Sequence, residues 1–240
     1  AGLIDNFNGF ILGPSGSGKS FFTNFYLRQN YDAGAHIFVV DIGDSYEGLC
    51  KVINEESGGK DGIYNVYDGK NPLSLNPFVG YTEKEDGKNA SLLFLEGLFK
   101  TIWTPEGGWT ESVSAILTAV ITSFMDKCRK EGEKYPTVDL FDSYVGSELK
   151  DAIQKGEFFC GKSAVKESEF DCGKFCEALF PFSKSGTYPA LLNNPKPVDH
   201  SDCRFVVYEL SSVSNNDKIL SVVTSTIMHD FERVMRKSKD

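Results

Sequence analysis

One stretch near the start of the chain carries residue types that can bind a phosphate chain. It reads Gly13-Pro14-Ser15-Gly16-Ser17-Gly18-Lys19-Ser20 and matches the pattern G-x-x-x-x-G-K-[ST] in full. The glycines permit a tight turn of inward-pointing N–H groups, and a following helix directs the positive end of its dipole at the same anion. Lys19 can reach the β- and γ-phosphates, and the Ser20 hydroxyl can ligate Mg²⁺. The motif therefore predicts binding of a nucleotide with Mg²⁺.

The elements around this motif decide between a phosphate loop and a flexible Gly/Ser turn that happens to contain a lysine. The apolar run at residues 7–12 predicts a buried strand before the loop, and the spacing of aromatic residues predicts a helix over 20–30 after it. That order is the setting that a phosphate loop requires. A second apolar run, residues 37–40, completes a strand–helix–strand unit, so we expect an α/β fold.

Two acids are candidates for the second half of a hydrolytic site. Nucleotide hydrolysis needs a carboxylate that holds Mg²⁺ and a polar group that orients the attacking water. Asp41 and Glu209 each end an apolar run of strand-forming residues, and neither is followed by a second acid. Each acid could instead be a polar residue without a catalytic role, at the point where a strand meets solvent. The sequence leaves both interpretations open for Asp41 and for Glu209.

The middle of the chain has a different pattern. Residues 63–67 and 73–78 suggest extended segments, and helical periodicity then prevails from residue 89, with Thr110 and Thr137 as predicted N-caps. Strand-forming residues return at 205–208, followed by a long amphipathic helix. We therefore expect a core in two parts, residues 1–83 and 191–240, separated by a mostly helical insertion at 84–190.

Composition narrows the function classes. The 240 residues carry a formal net charge of -9, so we expect at most weak, salt-sensitive contact with DNA. No apolar run reaches membrane-spanning length, which favours a soluble chain. The six cysteines are scattered, which favours reduced, buried thiols over a zinc site. The chain lacks a guanine-reading Asn-Lys-x-Asp motif and has only five arginines, which disfavours a GTPase or a small-molecule kinase.

Several blocks together resemble one family. Residues 9–22 and 39–46 resemble the C-terminal motor domain of TraG/TraC-type conjugative-transfer ATPases of type IV secretion systems, with TraG proteins of Bacteroides-type conjugative transposons the most similar. Residues 75–78, 186–193 and 204–210 agree with the same family. The resemblance implies a RecA-like P-loop core of the HerA/FtsK class with an inserted helical subdomain. It also implies an oligomeric motor that hydrolyses ATP at the inner face of the cell membrane to energise pilus assembly or DNA–protein transfer.

The resemblance assigns roles to individual residues. Residues 13–20 correspond to the nucleotide loop, with Lys19 catalytic and Ser20 at Mg²⁺. The family's acidic Walker B pair follows the helix that matches residues 215–237, so we expect it beyond Asp240, which leaves Glu209 on the preceding strand as a catalytic candidate. We therefore expect nucleotide binding with little turnover by these 240 residues.

A second hypothesis makes these residues an assembly module that docks other subunits or secretion components, with nucleotide binding but no turnover. For the whole protein we expect a cytoplasmic homo-oligomer peripheral to the inner membrane.

Overall fold

The secondary structure alternates between strands and helices near both ends of the chain and is mostly helical between them. The computed structural model describes residues 9–66, 75–79, 81, 85–189, 191–195, 200 and 202–237, with the backbone alone at 85–89 and 233–237. The helices are α1 Lys19–Asp32, α2 Glu47–Glu56, α3 Glu85–Ile102, α4 Glu111–Glu131, α5 Val138–Tyr144, α6 Lys150–Gln154, α7 Cys172–Leu179 and α8 Asp217–Lys237. The strands are β1 Ile37–Asp41, β2 Ile63–Val66, β3 Phe159–Cys160, β4 Ser163–Ala164 and β5 Phe205–Glu209. A π-helical turn, Val145–Leu149, joins α5 to α6, and 3-10 turns lie at Phe180–Phe182 and Ser211–Val213.

The larger sheet has β5 at its centre, in the order β1-β5-β2. Strands β1 and β5 run parallel, with Ile37 opposite Phe205 and Asp41 opposite Glu209. All five residues of β5 are buried, as expected for the central strand of a sheet that is covered on both faces. The prediction of an α/β fold is therefore confirmed.

One compact unit, here called the α/β unit, comprises the described residues between 9 and 65 together with 202–209. Its core is formed by residues of α1, α2, β1 and β5. They are Tyr31, Ile37, Cys50, Ile53, Phe205 and Val207. The predicted helix over 20–30 is confirmed as α1, and the predicted strand at 37–40 is confirmed as β1.

The other compact unit, the helical unit, comprises the described residues between 66 and 201 together with 210–237. An aromatic cluster forms much of its core, with ring centroids 5.4 Å apart for Phe78 and Phe124 and 4.9 Å apart for Phe99 and Phe141. Both predicted N-caps are confirmed, since Thr110 accepts a hydrogen bond from the Val113 N–H and Thr137 accepts one from the Leu140 N–H. The boundaries predicted at residues 84 and 190 stay predictions.

Two predicted extended segments are wrong over the residues that the structure describes. Residues 9–12 form no strand, and Phe10 and Leu12 are 87% and 84% exposed; residues 7 and 8 lie outside the described part. A strand requires a partner for its backbone, and in the described sheet β5 pairs with β1 and β2 instead. Residues 77–79 form a turn, because the Asn76 side chain accepts from the Phe78 N–H at 2.9 Å; residues 73 and 74 are outside the described part.

Candidate phosphate-binding site

The loop at residues 13–18 requires glycine for two different reasons, a left-handed backbone at two positions and lack of space for a side chain at a third. Gly16 and Gly18 have φ of 77° and 84°, in the left-handed region that favours glycine, and a Cβ added at either position would meet no atom within 4 Å. At Gly13 the limit is space, since an added Cβ would lie 2.6 Å from the Ser17 Oγ. The loop is closed by a hydrogen bond of 3.2 Å from the Ser17 N–H to the Pro14 carbonyl. Left-handed glycines in a closed turn before a helix are the backbone arrangement that phosphate-binding loops require.

The start of α1 is also suited to an anion. Its N-cap is Gly18, which offers no side-chain hydrogen bond, and its first turn contains no acid. Helices α4, α5 and α7 differ, because the side chains of Thr110, Thr137 and Asp171 cap them. The N–H groups of a first helical turn lack intrahelical acceptors, so those of α1 can bind an anion in the place of a capping side chain.

Lys19 and Ser20 lie where the loop meets the helix. The Lys19 Nζ donates to the carbonyl oxygens of Gly13 and Pro14 at 2.6 and 2.9 Å, which holds its positive charge against the loop. The Ser20 side chain is exposed, and its Oγ lies 3.4 Å from the Oγ of Ser45. The structure therefore brings together all eight residues predicted from the motif, and it adds Ser45.

The two candidate acids lie side by side at the end of the sheet. Asp41 and Glu209 are register partners at the carboxyl ends of β1 and β5. The Glu209 carboxylate, which is 2% exposed, accepts from the Gly43 N–H at 3.3 Å and the Asp44 N–H at 2.9 Å. The Asp41 carboxylate accepts from the Ser45 N–H at 2.8 Å. Sequence reasoning found both acids but treated them separately, and the parallel register makes them a pair.

This pairing shifts the proton affinity of Asp41. Burial raises the pKa of the Asp41 carboxyl, and the neighbouring charge of Glu209 raises it further, against the opposing effect of the Ser45 N–H. A raised pKa in the folded state contributes stability that is present below the unfolded pKa, about 3.9, and is lost as the pH rises through the folded pKa. Ionisation of Asp41 beside Glu209 therefore costs stability as the pH rises.

Asp41→Asn is expected to stabilise the α/β unit at pH 7 by about 0.5–2 kcal/mol. The asparagine can still accept from the Ser45 N–H, and its amide can donate to Glu209, so it imitates the protonated acid. Hydrogen exchange of the β5 amides at pH 7 and pH 4.5 measures the effect. The gain should shrink at the lower pH, and an equal or larger gain at pH 4.5 would contradict the assigned repulsion.

Among the described residues outside the loop, thiols and other potential metal ligands form no comparable site. Cys172 and Cys176 both lie on α7, and burial raises the pKa of their thiols to about 11 and about 12, so both are protonated at neutral pH. Within the described residues, no three His, Cys, Asp or Glu side chains are grouped so that they could hold a metal ion. Among the same residues, no helix combines the length and the apolar character needed to cross a membrane.

Comparisons with known proteins agree with the geometry of the loop. The family described as "TraG P-loop domain" matches residues 1–240. Protein TraC of Escherichia coli (strain K12) is 25% identical over 237 residues, covering 98% of this chain and 24% of TraC. The solved structure of VirB4 of Thermoanaerobacter pseudethanolicus superposes with a TM-score of 0.63 at 15% identity, covering 95% of this chain and 56% of that one, which shows a shared fold. The chain thus spans about a quarter of TraC and about half of the VirB4 structure.

Proposed function

Because this chain belongs to the TraG P-loop domain family, we propose that it is the ATP-binding motor segment of a conjugation or type IV secretion ATPase. The observation that carries the proposal is the loop at residues 13–20, with left-handed glycines in front of a helix that no side chain caps. The sequence similarity to Protein TraC and the fold shared with VirB4 support the same proposal.

The proposal gives each part of the loop a role. The backbone N–H groups of the loop, other than at Pro14, which has none, and Ser17, which donates to the Pro14 carbonyl, bind the phosphate chain together with those of the first turn of α1. Lys19 leaves its two carbonyl partners and pairs with the terminal phosphates. Ser20 is the residue of the loop that would hold Mg²⁺, which supplies neutralisation of phosphate charge when it is bound. Glu209 remains a proposed catalytic residue, although its carboxylate already accepts two backbone N–H groups.

We infer a homo-oligomeric motor at the cytoplasmic side of the inner membrane, encoded by a conjugative transposon, which energises pilus assembly or DNA–protein transfer together with other secretion components. The support for this wider context is the family membership. The net charge of -9 supports only weak direct contact with DNA.

Lys19→Ala is expected to weaken binding of MgATP by at least about tenfold, because the ammonium supplies the charge that pairs with the terminal phosphates. Isothermal titration of the 240-residue chain with MgATP measures the change. The matched control is Lys51→Ala, which removes an exposed lysine of α2 that pairs with Glu47 in the same unit. If both variants bind as tightly as the unaltered chain, the loop does not bind nucleotide as proposed.

A further inference from the structure

The side chain of Asn24 connects the start of α1 to the turn that follows β1. Its Nδ2 donates to the Ser20 carbonyl at 2.8 Å and to the Ser45 carbonyl at 2.9 Å. Beside this bridge, the Oγ atoms of Ser20 and Ser45 lie 3.4 Å apart. The helical turn that carries Ser20 is thus attached at two points to residue 45.

Ser45 is also held by the sheet, independently of its contacts with α1. The Ser45 N–H donates to Asp41 at the end of β1, and the two preceding N–H groups donate to the buried Glu209 at the end of β5. Asp44 has φ of 54°, a conformation that non-glycine residues seldom adopt, and its carboxylate accepts from the Tyr64 hydroxyl at 3.0 Å. The turn at residues 41–45 is therefore anchored to all three strands of the sheet.

We propose that Asn24 and Ser45 are positioning residues for the Ser20 hydroxyl, an inference that rests on the proposed function. A serine hydroxyl has one proton and two lone pairs, and it rotates freely unless a neighbour fixes it. To offer a lone pair to a cation, Ser20 must direct its proton elsewhere, and the Ser45 Oγ is the adjacent acceptor. The Asn24 bridge, whose two bonds are shorter than the contact between the hydroxyls, keeps the two serines together.

The same helix provides a matched control for Asn24. The Asn30 Nδ2 donates to the Tyr26 carbonyl at 2.7 Å, four residues earlier, as Asn24 does to Ser20. The difference is the second bond of Asn24, which crosses to Ser45. Comparing alanine at both positions isolates that bridge from the general cost of removing an asparagine from α1.

The test measures the affinity for ATP with Mg²⁺ and with EDTA, by titration calorimetry on the 240-residue chain. Ser45→Ala and Asn24→Ala should each lower the affinity for MgATP by about three- to tenfold, the value of one hydrogen bond, and change binding in EDTA by less than twofold. The Mg²⁺ effect is the ratio of the affinity for ATP with Mg²⁺ to the affinity with EDTA. Ser45→Thr, which keeps the hydroxyl, should retain this ratio, and Asn30→Ala should leave it unchanged. Hydrogen exchange of the β5 amides checks that every variant is folded.

The possible results separate this inference from the function on which it rests. Loss of the Mg²⁺ effect in Ser45→Ala and Asn24→Ala, with retention in Ser45→Thr and Asn30→Ala, supports the positioning role. If the unaltered chain binds MgATP through Lys19 but Asn24→Ala behaves like Asn30→Ala and Ser45→Ala has no effect, the positioning role is wrong and the proposed function stands. If the unaltered chain does not bind MgATP, both are overturned.

Discussion

Gly62→Ala is expected to lower the free energy of unfolding of the α/β unit by about 3–5 kcal/mol. Gly62 has φ of 76°, and an added Cβ would overlap the Cys50 carbonyl oxygen and lie 2.5 Å from the Asn54 backbone nitrogen. These are backbone atoms of α2, which cannot move aside by changing a rotamer. The Gly62 N–H also donates to the Phe205 carbonyl at 3.0 Å, so any shift that relieves the overlap disturbs the contact with β5.

Gly59→Ala is the matched control for this prediction. Gly59 lies between α2 and β2, as Gly62 does, with φ of 83°, but an added Cβ there would meet no atom within 4 Å. Its replacement should cost only the backbone strain of a left-handed residue, about 1–2 kcal/mol. Native-state hydrogen exchange of the β5 amides reports the opening free energy of the unit. Equal losses in the two variants would show that the close approach of α2 does not limit residue 62.

Asp61→Ala is expected to destabilise the same unit by about 2–4 kcal/mol. Asp61 is 5% exposed, and its carboxylate accepts from the Tyr31 hydroxyl at 2.6 Å and from the Arg204 backbone N–H at 2.7 Å. The Arg204 guanidinium lies 3.2 Å from the same carboxylate and 4.4 Å from the centroid of the Tyr31 ring. Alanine would leave two donors and one charge without their acceptor next to the core.

The pH dependence identifies the role of the Asp61 charge. Burial raises the pKa of Asp61, but the hydrogen bonds from Arg204 and Tyr31 and the Arg204 charge outweigh burial, and the net pKa is lowered. A lowered pKa contributes stability that is present above the unfolded pKa, about 3.9, and is lost as the pH falls through the folded pKa. Asp61→Asn should therefore lose stability relative to the unaltered chain at pH 7 and lose less at pH 3. The same exchange measurement at both values tests this, and a pH-independent difference would argue against the assigned charge.

The helices were predictable from sequence because their signals are local. The predicted caps at Thr110 and Thr137 and the apolar spacing within α4 each depend on residues a few positions apart, and the structure confirms them. The strand predicted over residues 7–12 is absent from its described part, residues 9–12, for the opposite reason. An apolar run marks a possible strand, but pairing depends on a partner elsewhere in the chain, and hydrophobicity alone does not supply one.

The sequence by itself determined the family and the proposed phosphate loop, because the eight residues from Gly13 to Ser20 form a continuous local signal. Only the tertiary structure decided what surrounds the loop. The parallel register of β1 and β5 joins Asp41 to Glu209, and the turn that this pair holds brings Ser45 to Ser20. Asp61 and Arg204 likewise meet across 143 positions of sequence. Such contacts depend on how strands pair and helices pack. The spacing of residues along the chain predicts local elements but not which distant elements meet.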